Sequence, residues 1–228
     1  MSKNLLFLTL LFLIFFSFYT DIYGQTKAVT EYGDTIYVYD NGTWSFEQLE
    51  DMPQSNSLAY LSSELQIDTI DNKFVYSPSA TKLLKNKRNQ FTIKYDDKLW
   101  GRVPPATLNE DAEFALKAKK SDIWCIVISE ETPIEADKLY RIAKKTMADN
   151  TGAEVKIIKT ESRTVNGHQL LRGVLEAYIS GITFIFDTYY FSNDLGSVQF
   201  TTWTSNKVWE RSENDILDLL NGFIVQEE

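Results

Sequence analysis

Chemically versatile side chains are scarce in this sequence, which contains one histidine, His168, and one cysteine, Cys125. A single cysteine cannot form a disulfide within the chain, so the fold has to be held together by its core. One histidine and one cysteine also fall short of the ligand set of an ordinary structural zinc site. The sequence therefore predicts no metal site, and we expect no cofactor.

Glycine-rich turns are also missing, because Gly152, Gly167, Gly173 and Gly181 stand alone. Phosphate-cradling and dinucleotide-binding loops need several glycines between a strand and a helix, so both are excluded. Cys125 lies in an apolar run and is expected to be an inert buried thiol. No catalytic residue is assigned. A hydrolase using carboxylates on opposite sides of a cleft remains an alternative, since acidic residues are abundant.

Basic residues are outnumbered by acidic ones, 23 to 32, which gives a formal net charge of -9. Nucleic-acid binding needs a basic footprint that releases counterions from phosphates, so no nucleic-acid partner is expected. The basic cluster at Lys85–Arg88 is the local exception. No aromatic side chains are interleaved with it, and we interpret it as a solvated segment.

One long apolar run is present, from Leu5 to Phe18, and it follows Lys3 and precedes Gly24. A basic start, a short apolar segment and a small residue are typical of a secretory signal peptide, here residues 1–24. A membrane anchor is the alternative, but the run is shorter than the ~20 residues that span a bilayer. We expect an exported protein, periplasmic or extracellular, without a transmembrane segment after signal removal.

Residues 25–47 read as a short β-hairpin unit. The segments Thr35–Tyr39 and Thr43–Phe46 are rich in β-formers, and Asn41 and Gly42 between them favour a tight turn. The unit resembles a small aromatic β unit seen behind signal peptides in bacterial envelope proteins. Residues 48–85 are rich in Ser, Asn, Asp and Gln without a sustained period and are predicted to be a linker or strap.

Residues 86–228 form the predicted main domain. Phe91–Tyr95 and Ala112–Ala118 alternate as half-buried strands, and Ile123–Ile128 is apolar at every position. A strand that is apolar on both faces must be covered on both faces, which predicts layers above and below a sheet. Thr132, Pro133 and Glu135 have the spacing of a helix start, with Gly152 at its end.

Four strands follow, at about residues 154–163, 168–179, 183–191 and 197–204, and a helix from Asn206 to Asn221 closes the domain. Their short joints force antiparallel neighbours and predict a β-meander. Ser205 is the candidate cap of the last helix, and Gly222 fits a left-handed stop. The predicted fold class is α+β.

This order of elements over residues 89–228 resembles the PsbP-like family. The resemblance is carried by Phe91–Tyr95 leading to Trp100, by Ile126–Glu130, by Val165–Gly167 with the following leucines, and by Ile216–Phe223. It implies an α/β/α sandwich with a mostly antiparallel sheet flanked by helices, next to the N-terminal β-hairpin unit. It also implies a non-catalytic role in binding or assembly, without transferring any functional residue.

Aromatic and arginine side chains on the predicted meander and beside Pro104 are the candidates for partner contact, since binding surfaces favour these residue types. They are Trp100, Arg102, Arg172, Tyr178, Tyr189 and Trp203. We expect an exported non-catalytic binding or assembly module of the cell envelope or exterior, with an unknown protein or small ligand as partner. A structural surface component is a further alternative, and the sequence leaves the oligomeric state open.

Overall fold

Four consecutive strands joined by two-residue turns form the centre of the structure, which is a computed structural model. They are β10 (Val155–Val165), β11 (His168–Ile179), β12 (Ile182–Asn193) and β13 (Gly196–Ser205). Asn166 and Gly167 have φ of 48° and 90°, and Ser180 and Gly181 have φ of 50° and 87°. Tight hairpin turns require two positive φ angles in succession. The predicted meander is confirmed.

The structure describes residues 26–29, 35–38, 44–45, 65–152 and 154–226. The chain divides into two units, residues 1–56 and 57–228. The described part of the first unit is a three-stranded antiparallel sheet of β1 (Thr26–Val29), β2 (Thr35–Val38) and β3 (Trp44–Ser45). The predicted signal peptide and the predicted turn at residues 40–42 lie outside the described residues.

The second unit adds seven strands and two α-helices to the meander within its described residues. The strands are β4 (Asp68–Phe74), β5 (Lys82–Lys85), β6 (Phe91–Tyr95), β7 (Trp100–Arg102), β8 (Ala112–Ala118), β9 (Trp124–Glu130) and β14 (Phe223–Val225). The helices are α1 (Ala136–Thr151) and α2 (Asn206–Leu220). The fold is therefore α+β. No helix in the described part of the chain is long and apolar enough to cross a membrane.

Eight strands form the main sheet in the order β4-β10-β11-β12-β13-β9-β8-β7. Every neighbouring pair is antiparallel except β4 and β10, which run parallel. The smaller sheet has the order β14-β6-β5. Strands β4 and β5 lie within residues 48–85, so regular structure begins earlier in the chain than the composition of that segment indicated.

The main sheet carries a separate apolar cluster on each face. Tyr189 belongs to the cluster that includes α2 and the smaller sheet, whereas Tyr190 belongs to the cluster that includes α1. Successive side chains of a strand point to opposite faces, so the two clusters lie on opposite sides of the sheet. Cys125 and Val127 of β9 point into the first of them.

Helix α1 begins later than the sequence predicted. Glu135 is its N-cap and Ala136 its first residue, so the start predicted at Thr132 is wrong. The carbonyl oxygen of Thr132 instead accepts a hydrogen bond from Ser197 Oγ at 3.0 Å. That bond holds the loop after β9 against the start of β13, so Thr132 lies before the helix and Ala136 begins it.

Helix α2 has the predicted extent, but Gly222 is not its left-handed stop. Asn221 caps the helix in a right-handed conformation, and Gly222 has no positive φ. A Cβ at Gly222 would lie 1.9 Å from the carbonyl oxygen of Lys94. Glycine is required there because the chain leaving α2 passes directly against the backbone of β6.

Candidate functional site

Three cations and three carboxylates meet on the sheet face that α2 covers. This Arg172 cluster consists of Lys159, Glu161, Arg163, Arg172, Asp187 and Glu213. The register places Glu161 opposite Arg172 on neighbouring strands, and α2 supplies Glu213. The formal charges of the cluster sum to zero.

Arg172 and Asp187 form a bidentate pair at the centre of the cluster. The Nε and Nη2 atoms of Arg172 donate to the two carboxylate oxygens of Asp187 at 2.8 and 2.5 Å. Trp209 Nε1 donates to the same carboxylate at 3.3 Å. Both charged residues have 0% relative exposure. Pairing is what allows such charges to be buried, because an isolated ion would lose its hydration.

Each of the other two carboxylates of the cluster accepts hydrogen bonds from Arg172 and from one further cation. Glu161 Oε2 accepts from Arg172 Nη1 at 3.2 Å and from Arg163 Nε at 2.8 Å. Glu213 Oε1 accepts from Arg172 Nη2 and from Lys159 Nζ, each at 3.0 Å. Burial alone would lower the pKa of Arg172, but its hydrogen bonds and charge interactions raise it above the ordinary value. The guanidinium is therefore permanently charged.

Glu213 makes the stability of this cluster depend on pH. Partial burial raises its pKa, but the hydrogen bonds from Arg172 and Lys159 outweigh burial, and the pKa lies below its usual 4.5. A lowered pKa in the folded state contributes stability above the unfolded-state pKa, and this contribution is lost as the pH falls through the folded-state pKa. We expect the urea midpoint to fall more between about pH 7 and about pH 3 in the wild type than in Glu213→Gln. Equal falls would contradict this assignment.

Tyr189 connects the cluster to the end of α2. Its hydroxyl donates to Asn221 Oδ1 at 2.7 Å and lies 3.4 Å from Arg163 Nη1. Burial raises the pKa of Tyr189, although the nearby Arg163 charge opposes that effect. Tyr189 is therefore a neutral hydrogen-bonding side chain within the core.

The six predicted contact residues fall into three groups. Arg172 is the centre of the Arg172 cluster, Tyr189 lies beside it against Arg163, and Trp100 is 2% exposed within the core between the sheets. Arg102 is exposed on the edge strand β7, and Tyr178 is 65% exposed at the end of the β11–β12 hairpin. Trp203 is partly exposed on β13. The structure thus brings Arg172 and Tyr189 together in the interior and keeps Arg102, Tyr178 and Trp203 at the surface.

A second set of side chains lies on the opposite face of the sheet, where α1 packs. Helix α1 contacts β10, β11 and β12, whereas the neighbouring strands β13 and β9 present side chains that remain partly exposed on this face. We call this set the open face. It comprises Trp124, Ile126, Ile128, Gln199, Thr201 and Trp203.

Two tryptophans lie opposite each other at one end of the open face. Trp203 pairs with Trp124 in the strand register, and Phe186 of β12 pairs with Trp203 on the other side. The Nζ atom of Lys117 lies 4.2 Å from the centre of the Trp124 ring. Cation–π attraction therefore holds Lys117 over Trp124, and the two tryptophan side chains offer a large apolar contact area to a bound molecule.

Sequence reasoning named Trp203 but not Trp124, Glu161, Arg163 or Glu213. Trp124 stands next to Cys125 in a run in which every residue is apolar, so the sequence does not mark one face as exposed. The signal for the charged residues was the alternation of charge along β10, where Lys159, Glu161 and Arg163 point to one face. Only the strand register shows that this face meets Arg172.

The thiol and the imidazole belong to neither of these sites. Cys125 is fully buried, and burial raises the pKa of its thiol far above the ordinary value. His168 begins β11, next to the turn at Asn166. Among residues 65–152 and 154–226, no group of His, Cys, Asp and Glu side chains is arranged to hold a metal ion.

Solved structures with this fold include the solution structure of cyanobacterial PsbP (CyanoP) from Synechocystis sp. PCC 6803. It matches with a TM-score of 0.50 and 13% sequence identity, over 66% of this chain and 95% of CyanoP. The Ran-binding protein Mog1p of Saccharomyces cerevisiae matches with a TM-score of 0.45 and 10% identity, over 63% and 94% of the two chains. LpqN of Mycobacterium tuberculosis, involved in cell envelope biogenesis, matches with a TM-score of 0.45 and 9% identity, over 64% and 90%.

No protein-family model matches the sequence, and no curated protein matches it significantly. The likeness to CyanoP shows that this chain resembles the PsbP-like proteins in fold. The resemblance predicted from the order of elements over residues 89–228 is thereby confirmed. A fold hosts many functions, so the function has to be argued from the residues of this chain.

Proposed function

We propose that this protein is an exported, non-catalytic binding module of the cell envelope or exterior that contacts its partner through the open face. One observation carries the proposal: Trp203 and Trp124 lie opposite each other on a partly exposed part of the main sheet. Tryptophan is enriched where partners bind, because it supplies a large contact area at a small entropic cost. The partner is a protein or a small ligand.

The proposed architecture places the open face in an α/β/α sandwich. Helix α1 and the open face share one side of the main sheet, and α2 and the smaller sheet cover the other side. Residues 25–47 form a separate β-hairpin unit in this proposal, joined to the main domain by the following segment. Export is supported by the basic start and the apolar run from Leu5 to Phe18.

Carboxylate-based hydrolysis is less well supported than binding. Three carboxylates meet in the Arg172 cluster, where Asp187, Glu161 and Glu213 each accept a hydrogen bond from Arg172. A general acid needs a raised pKa so that it holds its proton near neutral pH. The pKa of Glu213 is lowered instead. These carboxylates stabilise a buried guanidinium.

Site-specific photocrosslinking in the producing cells tests the proposal. A photoreactive amino acid at Thr201, in the open face, is expected to give a distinct crosslinked product, whereas the same group at the exposed Lys85 of the smaller sheet serves as the matched control. We expect Trp203→Ala to reduce the Thr201 product by about tenfold, the loss typical of a contact that contributes more than 1 kcal/mol. Thermal melting of each variant checks that the fold is retained.

Two results would contradict this function. Similar products from Thr201 and Lys85 would show that the open face has no special role. An unchanged Thr201 product in Trp203→Ala would remove Trp203 from the contact, and the same test on Tyr178→Ala then asks whether the exposed end of the β11–β12 hairpin is the binding surface. The identity of the crosslinked molecule distinguishes the two kinds of partner. A Thr201 product that carries a glycan or metabolite instead of a protein would identify the partner as a small ligand.

A further inference from the structure

Asn166 joins three distant segments of the chain through one side chain. It occupies the turn between β10 and β11 with φ of 48°. Its Nδ2 atom donates to the carbonyl oxygens of Asn221 and Phe223 at 2.8 and 2.7 Å. Its Oδ1 atom accepts from the backbone N–H of Tyr76 at 3.1 Å. The amide of Asn166 therefore binds the segment between α2 and β14 to the β10–β11 turn. It also binds the residues that follow β4 to this turn.

The residue after Asn166 is Gly167, and this dipeptide has a characteristic chemistry. The backbone nitrogen of Gly167 gives up its proton to solvent and attacks the side-chain carbonyl carbon of Asn166, so that a new C–N bond forms. The bond from that carbon to Nδ2 breaks, and Nδ2 takes up a proton and leaves as ammonia. Water then opens the resulting succinimide to aspartate or isoaspartate. Glycine permits this cyclisation because it has no Cβ to obstruct the ring, and it leaves the backbone free to adopt the required conformation.

The folded structure opposes the first step of this reaction. Cyclisation requires the amide of Asn166 to rotate until its carbonyl carbon meets the nitrogen of Gly167. That rotation breaks the hydrogen bonds of Nδ2 to Asn221 and Phe223. Both acceptors are backbone groups at the junction of α2 and β14. Deamidation consequently requires this junction to separate from the turn.

The product cannot restore the same contacts. An aspartate at position 166 has no N–H to donate, and its carboxylate would face the carbonyl oxygens of Asn221 and Phe223. Isoaspartate in addition inserts a methylene into the backbone of a two-residue turn. We propose that Asn166 is a deamidation site gated by the α2–β14 junction, and that deamidation converts a transient separation of this junction into a permanent one. This inference does not depend on the proposed binding function.

Peptide mass spectrometry of the full chain after incubation at mildly alkaline pH tests the gate. Deamidation at Asn166 is expected to be slower in the folded protein than in the same chain in concentrated urea by about tenfold or more, since local opening limits it. Asn41 and Asn221 also precede glycines, and after tryptic digestion each lies in a different peptide from Asn166, so deamidation at the three sites is measured separately. Equal rates at Asn166 in the folded and the unfolded chain would overturn the proposal.

A matched pair of variants identifies the gate as the α2–β14 junction. Gly222→Ala places a Cβ 1.9 Å from the carbonyl oxygen of Lys94, whereas a Cβ at Gly101 meets its neighbours at an ordinary 3.6 Å or more. Gly222→Ala is expected to accelerate deamidation at Asn166, and Gly101→Ala to leave it unchanged. A folded Gly222→Ala with the wild-type rate would overturn the proposal. If Gly222→Ala does not fold, deamidation at Asn166 of the wild type is measured at increasing urea concentrations below the unfolding midpoint. A deamidation rate that does not rise with urea would also overturn the proposal.

Discussion

Replacing Arg172 with methionine is expected to lower the free energy of unfolding by about 3–5 kcal/mol, because the change leaves a buried carboxylate without its cation. Asp187 has 0% relative exposure and accepts two hydrogen bonds from Arg172. Glu161 and Glu213 lose a donor in the same variant. Urea denaturation near neutral pH measures the loss.

Two further variants separate the buried charge from the general effect of removing a cation. Lys156 pairs with Glu176 at 3.5 Å on the surface, so Lys156→Met is expected to cost only about 0–1 kcal/mol. The double variant Arg172→Met with Asp187→Leu removes both members of the central pair and is expected to recover part of the lost stability. If Arg172→Met is no more destabilising than Lys156→Met, the Arg172 cluster does not stabilise the fold as described.

Replacing Phe223 with alanine is expected to cost about 3–5 kcal/mol, the usual penalty for truncating a buried aromatic side chain. Its ring stacks on Phe91 with 5.1 Å between the centroids and contacts Phe191 at 5.7 Å. Phe223 is 1% exposed and belongs to the cluster between the main sheet and the smaller sheet. Truncating Phe223 therefore leaves a cavity beside the rings of Phe91 and Phe191.

The adjacent residue supplies the control for this prediction. Ile224 lies in the same short strand, pairs with Thr92, and is only partly buried. Ile224→Ala keeps the backbone pairing of β14 with β6 and is expected to cost less than half as much as Phe223→Ala. Comparable losses in the two variants would show that strand pairing, and not the aromatic core, makes β14 important.

The meander could be predicted because its turns are encoded locally. Asn166 and Gly167 adopt the two positive φ angles that their residue types favour, and the strands beside the turns are long segments rich in β-branched and aromatic residues. The smaller sheet could not be predicted. Lys82–Lys85 and Phe223–Val225 are too short to display a period, and each pairs with residues of β6 that the sequence does not indicate.

The sites were predicted less well than the fold, because burial depends on what covers each face. Arg172 and Tyr189 share a face whose alternating polar and aromatic residues are typical of an exposed surface, yet α2 covers that face. The start of α1 was misplaced for a related reason. Thr132 has the residue type of a helix cap, but its carbonyl oxygen is bound by Ser197, a residue far along the chain.

The pairing of β14 with β6 determines when this chain can finish folding. The smaller sheet joins residues 91–95 to residues 223–225, and Phe91 stacks directly on Phe223. Such distant pairs form late, because the entropy of closing a long loop must be lost before the contacts form. Until residues 223–225 have been synthesised, the core between the two sheets lacks the side chains of Phe223 and Val225. We therefore expect the nascent chain to complete its core only after this strand has been synthesised, which would suit the export that we propose.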